Sequence, residues 1–249
     1  MPIMDKVTTE KTSDPPRDLV YGPNGVGKTK LGTTTPDPIF VPTEDGLGQY
    51  EVAKFPVAKS FDEVMSYLAA IRDEKHDFKT VVLDTADWLE RLIHDKVCNQ
   101  FGASNIERVD GGYGRGYVHA LGYWRKVLAV LDEIRTRRKM IVLILAHCKV
   151  ERFEDPENAS YDRYCPRLQK LANALLCEWA DAVLFATQRM RVDAATGKAT
   201  PIGADGGQRV LRCIGGPACV AKNRFDLPAE IDLSWQSFVD NIGKGAAHA

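Results

Sequence analysis

The residues best suited to chemistry form one short segment, GPNGVGKT, from Gly22 to Thr29. Its spacing, G-x-x-x-x-G-K-T, is typical of a loop whose backbone N–H groups surround the phosphates of a nucleoside triphosphate. In such a loop Lys28 binds the β- and γ-phosphates, and Thr29 ligates Mg²⁺. We therefore predict ATP and Mg²⁺ as cofactors. The predicted nucleotide-binding residues are Gly22, Pro23, Asn24, Gly25, Val26, Gly27, Lys28, Thr29 and Lys30.

Acidic residues elsewhere fit the same chemistry. Asp84 ends the apolar run TVVLD, where a P-loop enzyme places the carboxylate that organises its metal, so Thr29 and Asp84 form the predicted Mg²⁺ site. Glu44 follows the run PIFVP and is predicted to activate water, although Glu44 and Asp45 are also ordinary turn residues. For Asp87, at the start of a helical pattern, a catalytic role and a purely helix-capping role both stay open.

From Asp18 onwards, short β-strand patterns alternate with amphipathic helical patterns, and these elements would position the side chains named above. Four helices are predicted. The first follows a capping box at Ser60 and Glu63, and the second follows Thr85. The third runs from Val118 to Ile134, and the fourth from Leu168 to Trp179. This alternation predicts an α/β fold of three layers around a mostly parallel sheet. The predicted strands are Asp18–Tyr21, Pro38–Pro42, Thr80–Asp84, Met140–Ala146, Ala182–Thr187 and Arg209–Ile214.

Composition sets further limits. The chain has 249 residues and a net charge of −1, which gives no global attraction to nucleic acid or membrane. Six cysteines show no C-x-x-C pair, and no segment is long and apolar enough for a signal peptide or a bilayer span. We expect a cytoplasmic protein with a flexible arm at residues 1–16, one ATPase core at 17–240, a flexible tail at 241–249 and no membrane partner.

The order of these motifs resembles the RecA-type ATPase core. That resemblance implies that Glu44 activates water, and that His147, which ends MIVLILAH, contacts the γ-phosphate where relatives have glutamine. The alternative for His147 is simple packing at a strand end. VAKNRFDLP resembles the K-N-R-F-G segment of RadA- and DnaB-type ATPases, which implies that Lys222 and Arg224 reach a neighbouring subunit's nucleotide. The alternative is an exposed basic loop.

The motifs together resemble a narrower family, the phage-encoded nucleotide-binding proteins with a core-only RecA fold. The shared segments are YGPNGVGKT, TEDG, VVLDT, GYGRGY, ILAH and AKNRFDLP, and they span residues 18–235. One branch, the Sak-type proteins, anneals single-stranded DNA. The resemblance implies a P-loop NTPase of phage DNA recombination, in the bacterial host cytoplasm. It also implies an oligomer, ring or filament, with composite ATP sites, and a single-strand DNA-binding protein as a partner.

Two segments are candidates for contact with single-stranded DNA. The first, residues 107–126, interleaves glycine with aromatic and basic side chains, which suits base stacking and phosphate contact, or simply a loop that enters a helix. The second, residues 148–167, has four cations but five carboxylates, which argues against a simple phosphate-binding strip and favours a mobile loop. The predicted DNA-binding residues are Arg108, Tyr113, Arg115, Tyr117, Lys149, Arg152 and Arg163.

Other functions remain open at this point. A P-loop ATPase that moves protein partners, as a replication accessory or helicase loader does, needs the same nucleotide site. A nucleotide-gated binding module with little turnover needs it as well. A small-molecule kinase is less well supported, because nothing in the sequence marks a lid of paired arginines or an acceptor pocket.

Overall fold

The computed structural model describes residues 3–9, 14–193, 196–203 and 207–244. The strands are β1 Arg17–Gly22, β2 Pro38–Pro42, β3 Ala53–Lys54, β4 Thr80–Asp84, β5 Ile141–Phe153, β6 Tyr161–Pro166, β7 Ala182–Gln188, β8 Met190–Val192, β9 Ala199–Pro201, β10 Arg209–Arg212, β11 Lys222–Asn223 and β12 Glu230–Asp232. The helices are α1 Lys28–Thr33, α2 Phe61–Asp73, α3 Ala86–Phe101, α4 Arg115–Arg138, α5 Lys170–Trp179 and α6 Trp235–Asn241, and short 3-10 helices cover Ile3–Lys6 and Ile106–Gly111.

The central sheet has the strand order β12-β10-β7-β1-β5-β4-β2-β3. The six strands from β7 to β3 run parallel, whereas β10 and β12 extend one edge in antiparallel fashion. Because β1 lies between β5 and β7, the residues that follow β1 stand in the middle of the carboxyl edge. Ligands of open parallel sheets bind at that edge.

Two apolar clusters cover the two faces of the sheet. One joins the strands to α2, α3, α4 and α5, with Trp124 and Leu131 among its fully buried side chains. The other joins them to α1 and α6 through residues such as Leu31 and Trp235. Helices therefore pack on both faces, which confirms the predicted three-layer α/β fold with a mostly parallel sheet.

Local sequence signals explain most of the helix boundaries. Ser60 caps α2 by accepting a hydrogen bond from the Glu63 N–H, as the capping box predicts. Helix α4 begins at Arg115, earlier than the pattern indicated, and Val118 is 59% exposed because the buried face of α4 runs through Ala120, Trp124 and Val127. The basic end of α4 pairs with acidic residues from other parts of the chain, for example Lys139 with Asp14 at 2.9 Å.

The second predicted DNA-contact segment is a β-hairpin and not an irregular loop. Strand β5 continues beyond the sheet to Phe153 and pairs with β6 in antiparallel register from Cys148–Pro166 to Phe153–Tyr161. A second hairpin pairs β8 with β9 in antiparallel register.

The terminal predictions and the thiols need separate comment. Residues 1, 2, 10–13 and 245–249 lie outside the described residues, so the flexible arm and tail stay predictions. The six cysteines are free, and burial is the largest factor that raises the thiol pKa of each. Within the described ranges, no helix has both the length and the apolar character needed to cross a bilayer.

Candidate nucleotide site

The glycine-rich segment forms a tight loop between β1 and α1. Gly25 and Gly27 have φ values of +74° and +110°, a region that glycine enters without steric cost. Gly22 lies so close to β7 that a Cβ there would stand 2.3 Å from the Ala186 carbonyl oxygen. The glycines are therefore required by this backbone path, which brings the loop against the sheet.

Lys28, the first residue of α1, is only 6% exposed. Its Nζ donates hydrogen bonds to the carbonyls of Gly22 and Pro23, at 2.9 and 3.0 Å. Burial lowers the pKa of Lys28, and the nearby Asp84 carboxylate partly offsets that effect. The ammonium is thus held at the mouth of the loop, where an anionic ligand would gain most from it.

Thr29 and Asp84 meet as a predicted Mg²⁺ pair should. The Thr29 hydroxyl donates to Asp84 Oδ2 at 3.1 Å. Burial raises the pKa of Asp84 to about 6, and the neighbouring Glu44 carboxylate adds to the rise. Among the described residues, no group of three or more His, Cys, Asp or Glu forms a metal cage. A hydroxyl and a carboxylate suit Mg²⁺, whose other ligands would be phosphate and water oxygens.

Two hydrogen bonds between the ends of β2 and β4 position Glu44. The Thr43 hydroxyl donates to the Thr85 carbonyl at 2.7 Å and accepts from the Thr85 N–H at 2.9 Å. This places Glu44 beside Asp84, with its Oε1 3.8 Å from His147 Nε2. The structure therefore brings Glu44 and His147 together at the phosphate loop, as the sequence predicted for their positions.

Asp87 anchors His147 from behind. Its Oδ1 accepts a hydrogen bond from the His147 N–H at 2.9 Å, and its two carboxylate oxygens lie 3.2 and 3.1 Å from Nδ1. Arg167, which directly follows the β5–β6 hairpin, donates to Asp87 Oδ2 at 2.5 and 3.2 Å. With the Nδ1 side of the ring turned toward Asp87, Nε2 is the nitrogen that faces the nucleotide site.

The charge state of Asp87 follows from these contacts. Burial alone would raise the pKa of Asp87, but hydrogen bonds from the His147 ring, the His147 N–H and Arg167 together hold it below the usual range. Asp87 is therefore an ionised, buried carboxylate with three kinds of donor. Of the two roles that the sequence left open, the contacts favour one that serves His147.

Lys28, Thr29, Glu44, Asp84 and His147 line a common cavity of about 210 Å³. Sequence reasoning missed three of its lining residues, Tyr50, Thr85 and Arg209. Arg209 begins β10, and no motif marks it; only the sheet order places β10 close to the phosphate loop. The complete lining is Asn24, Gly25, Gly27, Lys28, Thr29, Lys30, Glu44, Tyr50, Asp84, Thr85, His147 and Arg209, whereas Val26 is buried in the core.

Lys222 and Arg224 do not reach this cavity. Lys222 pairs with Val183 near the start of β7, at the edge of the sheet opposite the phosphate loop. Its Nζ donates to the carbonyls of Cys177 and Glu178 at the end of α5. Arg224 is 55% exposed and pairs with Asp181 at 3.1 Å. Both side chains are thus separated from the phosphate loop of their own chain.

The first DNA-contact candidate has an exposed tip and a packed base. Tyr113 is fully exposed with φ +54°, between glycines that also have positive φ. Arg108 is exposed, and Arg115 donates to the Asp110 carbonyl at 3.1 Å while its side chain stays 62% exposed. Tyr117, in contrast, bonds Glu107 and packs edge-on against His94.

The cations of the hairpin have partners in the hairpin or directly after it. Lys149 donates to the Leu168 carbonyl and lies 3.5 Å from Glu151. Arg152 lies 3.7 Å from Asp162, and Arg163 stacks over Phe153 at 4.0 Å. These contacts leave less free positive charge on the hairpin than the sequence alone suggested.

Comparison with known proteins agrees with this geometry. A family model described as "AAA domain" matches residues 14–225. A similar protein, the SPbeta prophage-derived uncharacterized protein YorG of Bacillus subtilis (strain 168), is 25% identical over 170 residues. That match covers 67% of this chain and 49% of the relative, so the chain spans about half the length of the relative.

Proposed function

The chain belongs to the AAA domain family of P-loop ATPases, and we propose that it hydrolyses Mg²⁺–ATP at the Gly22–Thr29 loop to act on single-stranded DNA in phage recombination. The observation that supports hydrolysis is the convergence of Thr29, Asp84, Glu44 and His147 on one cavity. These groups come from the ends of three neighbouring parallel strands and from α1, as a phosphoryl-transfer site requires.

Each group has a distinct task in this proposal. Lys28 binds the terminal phosphates, and Thr29 with Asp84 holds Mg²⁺, which neutralises phosphate charge when bound. Glu44 orients the attacking water and takes its proton. His147, fixed by Asp87 through Nδ1, presents Nε2 to the γ-phosphate side of the site.

Turnover of matched variants tests these tasks. Lys28→Ala should lose nucleotide binding, while Lys75→Ala, at an exposed lysine far from the loop, should not. Glu44→Gln should bind ATP normally and turn over at least about a hundredfold more slowly, while the neighbouring Asp45→Asn keeps full turnover. Unchanged nucleotide affinity in Lys28→Ala, or equal turnover in the two acid variants, would contradict the assignment.

Single-stranded DNA is proposed as the substrate on the basis of the exposed loop at Tyr113. Its ring is fully exposed among the described residues and free to stack with a base, and Arg108 and Arg115 lie within five residues of it along the chain for contact with phosphates. Because the cations Lys149, Arg152 and Arg163 of the β5–β6 hairpin already have partners, we propose a lesser role for them in DNA binding. The alternative function is that of a motor that acts on protein partners.

Steady-state ATP hydrolysis with and without single-stranded DNA, at low and moderate salt, separates these functions. Stimulation that falls with salt, and that Tyr113→Ala removes but Tyr161→Ala does not, supports DNA contact through the first loop. Turnover indifferent to DNA would refute the recombination proposal and favour the protein-directed motor. An annealing assay with complementary oligonucleotides then tests the pairing of strands directly.

We also propose that Arg224 completes the nucleotide site of a neighbouring copy. This role is supported by the exposure of Arg224, by its pairing with Asp181 among the described residues, and by its distance from its own phosphate loop. Lys222 also fits a structural role, as a cap on α5. Mixing Arg224→Ala with Lys28→Ala subunits should restore some turnover, because one composite site is intact. The absence of any rescue would refute the trans role.

A further inference from the structure

Beside the cavity at the phosphate loop lies a second cavity of about 300 Å³. It runs along the outer side of α1, and its lining is Gly27, Lys30, Leu31, Thr34, Arg209, Leu233 and Ser234. Three of these, Gly27, Lys30 and Arg209, also line the first cavity, so the two spaces are contiguous. Its volume is at the lower end of the range for small-molecule sites, about 300–1,000 Å³.

The two cavities differ in chemistry. The first holds the carboxylates of Glu44 and Asp84, together with Lys28, and suits a metal–polyphosphate. The second has no carboxylate in its described lining. It shares the cations Lys30 and Arg209 with the first cavity, and away from them it offers the aliphatic edges of Leu31 and Leu233 and the hydroxyls of Thr34 and Ser234. Such a lining suits an uncharged, partly apolar group that is joined to a phosphate chain.

Arg209 stands at the junction. A Cβ placed on Gly27 would lie 3.2 Å from an Arg209 guanidinium nitrogen and 3.3 Å from Leu233 Cδ2. Both side chains therefore pack closely against the phosphate loop at Gly27. The backbone bond from the Leu233 N–H to the Arg209 carbonyl, at 3.0 Å, ties the two segments together. Within the described part of the chain, the Arg209 side chain has neither a hydrogen bond nor an ion pair, so its charge is available to a ligand.

We propose that the second cavity binds the nucleoside part of the nucleotide, and that Arg209 acts in its own subunit as the cation where the phosphate chain meets the ribose. Apart from the two cations, the polar side chains of the described lining are the hydroxyls of Thr34 and Ser234, and a hydroxyl can donate to one purine edge or accept from another. The site therefore accepts purine nucleoside triphosphates with little discrimination, and ATP and GTP should bind within about tenfold of each other. This inference rests on the proposed phosphate site.

Calorimetric titration of the full chain with Mg²⁺ and ATP, GTP or inorganic triphosphate tests it. Wild-type protein should bind ATP at least about tenfold more tightly than triphosphate. Thr34→Trp, at an exposed position, should fill the cavity, lower ATP affinity at least about tenfold and leave triphosphate affinity within about twofold. Thr136→Trp is the matched control, because Thr136 is also exposed and also donates to a helix carbonyl.

Arg209→Ala provides an independent measurement. It should weaken both ATP and triphosphate at least about tenfold, with Arg209→Lys recovering part of the loss. Equal wild-type affinity for ATP and triphosphate, an unaffected Thr34→Trp, an unaffected Arg209→Ala, or a preference between ATP and GTP above about a hundredfold would overturn the inference while leaving the phosphate site intact. A wild-type protein that binds neither ATP nor triphosphate would instead refute the proposed function itself.

Discussion

The Asp87→Asn substitution tests two roles for the Asp87 carboxylate. It either holds His147 in place, or it only stabilises the start of α3. Asp87 is the second residue of α3, its side chain is 3% exposed, and it accepts from His147 and Arg167. In Asp87→Asn, one amide oxygen can still accept from the His147 N–H. The amide NH₂ then faces the Arg167 guanidinium, so two donors meet and the charge-assisted bonds at 2.5 and 3.2 Å are lost.

The stability cost follows from these bonds. A hydrogen bond to a charged group contributes about 1.5–3 kcal/mol. Arg167 is 39% exposed and can regain water, so we expect a loss of about 2 kcal/mol, below the 3–5 kcal/mol of a fully buried pair. Because the folded pKa of Asp87 is depressed, its contribution is complete above the unfolded pKa of about 4 and is lost as the pH falls through the folded value.

Urea unfolding between pH 3 and 8, together with steady-state turnover, checks this prediction. Asp62→Asn is the matched control, because Asp62 is the second residue of α2 but pairs with Lys96 at the surface, where its side chain is 67% exposed. Turnover should fall about tenfold or more in Asp87→Asn only, since His147 loses its orientation. Equal stability and turnover of the two variants would show that Asp87 only starts its helix.

Three further changes test the site and its backbone. Below pH of about 6, Mg²⁺–ATP affinity should fall about tenfold per pH unit as the raised pKa of Asp84 is crossed and the carboxylate is neutralised; a parallel profile in Asp84→Asn would contradict this. Gly22→Ala should lose about 2–3 kcal/mol of stability in urea because its Cβ meets the Ala186 carbonyl, whereas Gly48→Ala, in open space, should lose little; equal losses would contradict the clash. Asp226→Gly should keep or raise thermal stability by up to about 1 kcal/mol because Asp226 has φ +50°, and a clear loss would argue against strain there.

Local chemistry made much of this structure predictable. The P-loop spacing, the strand ending at Asp84 and the capping box at Ser60 each depend on contacts within a few residues, which a sequence displays directly. For the same reason, the structure has the predicted boundaries for the strands Pro38–Pro42 and Thr80–Asp84. Their apolar runs leave few other ways to bury the side chains.

Contacts between distant segments were not predictable in the same way. Arg209 and Gly27 are neighbours only because β10 joins the sheet beside β7, and Asp87 and Arg167 meet across 80 residues of sequence. The sequence predicts a loop where β5 and β6 form a hairpin, because the charged residues there hide the alternation of a two-stranded ribbon. The pairing also depends on a register that the local pattern does not specify.

The position of Arg224 has a consequence for stoichiometry. Asn223 pairs with Ala182, beside Asp18, which is four residues or roughly 13 Å before Gly22 along β1. If Arg224 acts in trans as proposed, a head-to-tail arrangement repeats the same shared site between successive copies. An open filament then always has one loop without an arginine, whereas a closed ring has none. For assemblies of few subunits, titrating active sites per subunit would therefore distinguish a filament from a ring without an image of either.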